Sequence, residues 1–110
     1  MHPYLALGLA ICTEVAATSA LKASAQFTNL WPSLIVVVGY SVSLYLLMIV
    51  LESIAIGITY AVWSALGIVL VTLIAIPLYR QIPDIAAVIG MTLIIAGVVV
   101  IHLYSDMAKI

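Results

Sequence analysis

Charge is what this sequence has least of. Seven of its 110 residues are charged, three Lys or Arg and four Asp or Glu, a share of 6%. A soluble chain of this length would carry roughly 27, at about 25%. So few cannot cover a water-facing surface, and a 67% hydrophobic composition with mean hydropathy +1.41 points to lipid as the solvent. Three basic residues and a net charge of −1 leave no basic patch, which excludes nucleic acid as a partner. The single cysteine, Cys12, excludes an internal disulfide and reads as a buried, inert thiol. His2 and His102 stand at opposite ends of the chain as interfacial polar residues, so no metal site is expected, nor any other cofactor. Nucleophile–base pairs, phosphate loops and hydrolytic motifs are also missing, which argues against an enzyme.

Present instead are long apolar runs, punctuated by the few charges. A membrane-crossing helix takes about 20 apolar residues, so the chain has room for four spans and short connections but no soluble domain. Charges fall at Glu14, Lys22, Glu52, Arg80, Asp84, Asp106 and Lys109. The gaps between them predict helices over Pro3–Leu21, Pro32–Leu51, Gly57–Leu78 and Ile85–Tyr104, an all-α membrane chain of one four-helix domain. Pro3 and Pro32 fit a first helical turn. The stretch Lys22–Trp31 reads as a loop and Arg80–Asp84 as a tight link, and Pro77 is expected to bend or finish the third helix. Ala23-Ser24-Ala25 resembles a signal-peptidase site, but no Lys or Arg precedes the apolar run and Glu14 interrupts it. Four spans put both termini and Glu52 on one side with Lys109, and Lys22 with Arg80 on the other. A bias of two basic residues against one is weak, so insertion in both orientations is expected; a single orientation would leave the termini in the periplasm.

One carboxylate lies inside a span. Glu14 is about 17 Å into the first helix at about 1.5 Å per residue, and a charge there is costly. A proton, or a cation arriving from water, would neutralise it. The structural alternative is a protonated Glu that hydrogen-bonds a neighbouring helix. Leu7, Ala10, Ala17 and Thr18 share its face, small enough for a ligand or for a close helix crossing. Tyr60, Trp63, Ser64 and Gly67 share a face of the third span, and Tyr40, Ser43 and Leu47 one of the second. Tyr4, Trp31, Tyr79 and Tyr104 are placed as interfacial anchors, whereas Tyr40, Tyr60 and Trp63 lie deeper. A buried carboxylate with aromatic faces is the composition of a cation site. Gly90 and Gly97 form a small-residue face on the fourth span, suited to close packing within or between protomers.

These residues resemble the small multidrug resistance transporters, within them the quaternary-ammonium exporters. The resemblance runs over nearly the whole chain. It rests on Pro3-Tyr4, Glu14-Val15 with Lys22, Phe27-Thr28, Leu30-Trp31-Pro32-Ser33, Gly39-Tyr40, Gly57-Ile58-Thr59-Tyr60-Ala61-Val62-Trp63-Ser64, Gly67-Ile68-Val69-Leu70, Ile89-Gly90-Met91 and Ala96-Gly97-Val98. It implies an antiparallel homodimer in the bacterial inner membrane, exchanging protons for lipophilic aromatic or quaternary cations by alternating access. Glu14 would be the shared proton and cation site, with Tyr40, Tyr60 and Trp63 as aromatic walls. Tyr4, Leu7, Ala10, Thr18, Ser43 and Leu47 would line the chamber, Gly67 would mark the bend of the third helix, and the fourth helix, with Gly90 and Gly97, would carry the dimer contact. The chain departs from the pattern at Ala17 and Ala65, where such members often have glycine, and at Glu52 and Asp106, where they are commonly neutral or basic. A guanidinium-exporting branch of the family is one alternative, although its members typically have Trp where this chain has Ala17. A non-transporting membrane subunit is another.

Overall fold

A computed structural model describes residues 2–106; Met1 and residues 107–110, among them the Lys109 of the orientation argument, lie outside the described residues. Four helices follow one another: α1 Pro3–Ala23, α2 Leu30–Leu51, α3 Ile56–Tyr79 and α4 Ile85–Tyr104. Each is long and apolar enough to cross a bilayer, with α1, the helix that carries Glu14, the least apolar of the four. The chain is therefore an all-α, multi-pass membrane protein.

The ends of α1, α2 and α3 lie one or two residues beyond the expected bounds, for local reasons. His2 caps α1, its Nδ1 accepting the Tyr4 N–H at 3.2 Å, with Pro3 in the first turn. The expected loop of Lys22–Trp31 shrinks to residues 24–29. Lys22 belongs to the last turn of α1, where a cation complements the helix dipole, and Leu30 and Trp31 to the first turn of α2. Pro77 does not finish α3, which runs on to Tyr79. In a last turn proline removes one bond only, and the N–H groups of Arg80 and Gln81 close the end on Ile76 O and Ala75 O. Arg80 takes the left-handed conformation there (φ 54°). Asp84 caps α4 by accepting the Ala87 N–H at 2.9 Å.

The turn between α1 and α2 is built around a buried serine. Ala25, Gln26 and Phe27 are all left-handed, with φ of 48°, 61° and 65°. Ser24 Oγ donates to Leu21 O at 2.7 Å and accepts the Phe27 N–H at 3.3 Å. Its carbonyl accepts the N–H groups of Thr28 and Asn29, and Asn29 Nδ2 donates back to Ala23 O at 2.9 Å. These bonds offset the cost of three non-glycine residues in a region that L-residues avoid.

The chain divides into two compact units, residues 1–50 and 51–110. In the first, α1 and α2 run antiparallel, since Ala10 meets Ser43 and Thr18 meets Tyr40. The buried positions of α1, namely Ala6, Leu7, Ala10, Ile11, Val15 and Ala17, recur every three or four residues and define one face. In the second unit α3 packs on α4. No residue of α4 is buried. Its apolar side chains are left for lipid or for another chain, and the Cβ positions of Gly90 and Gly97 look into open space.

Candidate functional site

The first unit brings two of the expected site residues, Thr18 and Tyr40, together at the Glu14 carboxylate. Thr18 lies one turn after Glu14 on α1 and donates its hydroxyl to Glu14 Oε1 at 2.8 Å. Tyr40, on α2, reaches the same Thr18 oxygen at 2.7 Å. A threonine hydroxyl has one hydrogen; with that hydrogen given to Glu14, Tyr40 is the donor to Thr18. The three groups thus form a chain, Tyr40 to Thr18 to Glu14, with every hydrogen directed toward the carboxylate. Glu14 itself is half-buried. Helical spacing put Thr18 beside Glu14, but nothing local in the sequence placed Tyr40 on that hydroxyl.

A second tie lies one turn further along α2. Buried Ser43 donates to the backbone carbonyl of Ala10 at 2.9 Å. Ala10 is fully buried and Leu7 nearly so, while Leu47 is half-buried and Tyr4 exposed at the start of α1. Of the two uses left open for the small residues near Glu14, Ala17 serves the close helix crossing. A Cβ built on Gly39 would stand 2.8 Å from Ala17 Cβ and 3.0 Å from Thr13 O. Gly39 was visible in the sequence only as part of a motif. Its closeness to α1 became apparent only with both helices in place.

The other expected residues belong to the second unit. Tyr60 is 74% exposed, Trp63 and Ser64 are half-buried and Gly67 is buried, all on α3. Thr59, next to Tyr60, is 2% exposed, and its hydroxyl has no hydrogen-bond partner among the described residues. A recess of about 270 Å³ lies between the ends of α3 and α4, with Thr72 and Gln81 as its polar lining. No acid or base lines it, so it offers no chemistry comparable to that at Glu14.

Cys12 contradicts the reading of the sequence. Instead of being a buried thiol it is exposed, because it projects from α1 away from the face that carries Ala10, Ile11 and Ala17. Among the described residues no cluster of His, Cys, Asp and Glu could hold a metal ion.

Comparison with known proteins finds similarity over most of the chain. The family model described as Small Multidrug Resistance protein matches residues 2–94. The chain is 50% identical over 105 residues, 96% of each chain, to the quaternary ammonium compound-resistance protein QacE of Escherichia coli. It is 47% identical over 105 residues, again 96% of each, to the multidrug transporter EmrE of Escherichia coli K12. The quaternary ammonium compound-resistance protein QacG of a Staphylococcus is 36% identical over 106 residues, 96% of this chain and 98% of its own.

Proposed function

The chain belongs to the small multidrug resistance family, and from that membership we propose that it is a proton-coupled antiporter exporting lipophilic and quaternary ammonium cations. The observation that carries this reading is the chain of hydroxyls on Glu14, the one acidic residue within the four helices. The names of the relatives, quaternary ammonium resistance and multidrug transport, support the substrate class.

A carboxylate held among helices in lipid is unfavourable as a bare charge. A proton or a cation neutralises it, and each excludes the other. Thr18, backed by Tyr40, holds the carboxylate in place when the proton leaves. Tyr40, Tyr60 and Trp63 supply ring faces to a cation that has shed its water. Leu47 and Tyr4 extend the lining within the first unit, whereas Leu7, Ala10 and Ser43 are buried where α1 packs on α2.

The working unit is an antiparallel homodimer in the bacterial inner membrane, each protomer acting as one four-helix domain. Two Glu14 carboxylates then share their protons as a coupled pair. The exposed face of α4, open at Gly90 and Gly97, supplies the contact between protomers. Gly67 is the point at which α3 bends between inward-open and outward-open forms. A two-fold axis in the membrane plane makes those forms equivalent by exchange of protomer roles.

Growth of a sensitive host on ethidium or benzalkonium tests the reading. The chain should confer resistance, and Glu14→Gln, inserted to the same level, should abolish it. If the unaltered chain gives no resistance, a non-transporting subunit becomes the better reading. If it exports guanidinium alone, the guanidinium branch does.

A further inference from the structure

A close approach of α1 and α2 lies one residue away from the hydroxyl chain on both helices. Gly39 precedes Tyr40 and Ala17 precedes Thr18. At Gly39 a methyl group would meet Ala17 Cβ at 2.8 Å, Thr13 O at 3.0 Å and Ala17 Cα at 3.5 Å, the last two being backbone atoms of α1 that cannot swing aside. The crossing therefore accommodates one methyl, and Ala17 provides it, fully buried. One turn along α2, Ser43 ties the helices together at Ala10 O. The interface thus has a steric stop at Ala17 and Gly39 and a polar tie at Ser43.

We propose that Gly39 and Ala17 together set the helix separation at which Tyr40 reaches Thr18, making Gly39 a positioning residue for Glu14. Contacting carbon atoms prefer about 3.5–4.0 Å, so an alanine at 39 drives α2 back by about 1 Å. The Tyr40–Thr18 contact, now 2.7 Å, then opens to roughly 3.7 Å, beyond hydrogen-bonding range. Thr18 keeps its bond to Glu14, since both are on α1. Removing the methyl of Ala17 should undo most of the damage: the approach to Thr13 O at 3.0 Å remains, but it asks for a shift of only a few tenths of an ångström, which leaves Tyr40 within hydrogen-bonding range of Thr18. As a role in cation binding, this rests on the transport reading above; as a statement about Tyr40 it does not.

The experiment compares the unaltered chain with Gly39→Ala, Tyr40→Phe, Gly39→Ala/Tyr40→Phe and Ala17→Gly/Gly39→Ala in detergent. Isotope-edited infrared spectra read the hydrogen bonding of Tyr40, its band assigned by the Tyr40→Phe difference. Tetraphenylphosphonium titrations across pH read affinity and the pH of half-release. The titratable groups on α2 are Tyr40, which reaches Glu14 through Thr18, and exposed Tyr45; α1 adds Tyr4, Cys12 and Lys22. Gly39→Ala should lose the Tyr40 hydrogen-bond signature and bind about three- to tenfold more weakly, the worth of one hydrogen bond. Its pH of half-release should move as in Tyr40→Phe, and adding Tyr40→Phe should change nothing further. Ala17→Gly/Gly39→Ala should restore the infrared signature and the pH of half-release. An intact Tyr40 signature in Gly39→Ala, additive effects of Gly39→Ala and Tyr40→Phe, or no restoration by Ala17→Gly overturns the proposal. Should Gly39→Ala fail to insert, the double variant still decides, since the proposal requires it to insert with the unaltered signature. If the unaltered chain binds no cation, the transport reading fails, while the infrared arm still judges the positioning of Tyr40.

Discussion

The turn between α1 and α2 stores backbone strain that one substitution should release. Gln26 sits at φ 61° between two other left-handed residues, exposed to its surroundings. An L-residue held there costs about 1–2 kcal/mol relative to its right-handed form. Gln26→Gly removes that cost and gives back about 0.5–1 kcal/mol through the greater freedom of glycine in the unfolded chain. The net stabilisation is about 0.5–1 kcal/mol. Gln26→Val should move the other way by about 1 kcal/mol, because a β-branched side chain is least compatible with positive φ. Ser24→Ala removes the hydroxyl that bridges Leu21 O and the Phe27 N–H at a fully buried position. It should cost about 1–3 kcal/mol, and Gln26→Gly should recover part of that loss. Reversible unfolding by sodium dodecyl sulfate from mild detergent micelles, followed by tryptophan fluorescence, gives the midpoints. The expected order is Gln26→Gly, unaltered chain, Gln26→Val, Ser24→Ala. A glycine variant no more stable than the unaltered chain, together with a valine variant equal to it, refutes the strain argument. The turn matters to the site because it sets the register at which α2 returns along α1, and hence whether Tyr40 arrives opposite Thr18.

Other outcomes follow from the site and the charge distribution. Lipophilic cation binding should weaken as pH falls, because a proton and a cation compete for Glu14; affinity that does not change with pH removes that competition. Trp63→Ala should lower cation affinity by about 1–2 kcal/mol and Trp63→Phe by less, if a desolvated cation rests on the ring. Reduced yield with unchanged affinity instead makes Trp63 a packing residue. Two lysines added to the C-terminal tail should turn most copies termini-inside, and two beside Arg80 termini-outside. Each variant alone should then lose resistance, and co-expression should restore it. Reporters showing a single orientation for a fully active unaltered chain would rule out the antiparallel homodimer.

Much of the fold was legible because it depends on local properties. Scarce charges and runs of about 20 apolar residues place the four helices to within one or two residues, and the α4 span was located without error. Glu14 stood out as a carboxylate without a lipid-compatible reason to be there, and Thr18 followed from helical spacing. The ends were harder to read. Lys22 and Trp31 look like loop residues by polarity or bulk, yet each belongs to a terminal helical turn.

Only the tertiary structure decided which faces meet. In a soluble helix the apolar stripe marks the core, but in lipid both the packed and the exposed faces are apolar, so hydrophobicity does not record the rotation of a helix. Cys12 was misplaced for that reason. The contacts Thr18–Tyr40 and Ala10–Ser43 span 22 and 33 positions in sequence, and the approach of Gly39 to Ala17 requires both backbones at their final separation. Composition and spacing therefore determined which groups the membrane would hold. The crossing of α1 and α2, fixed by the room for a single methyl, decided which of them touch.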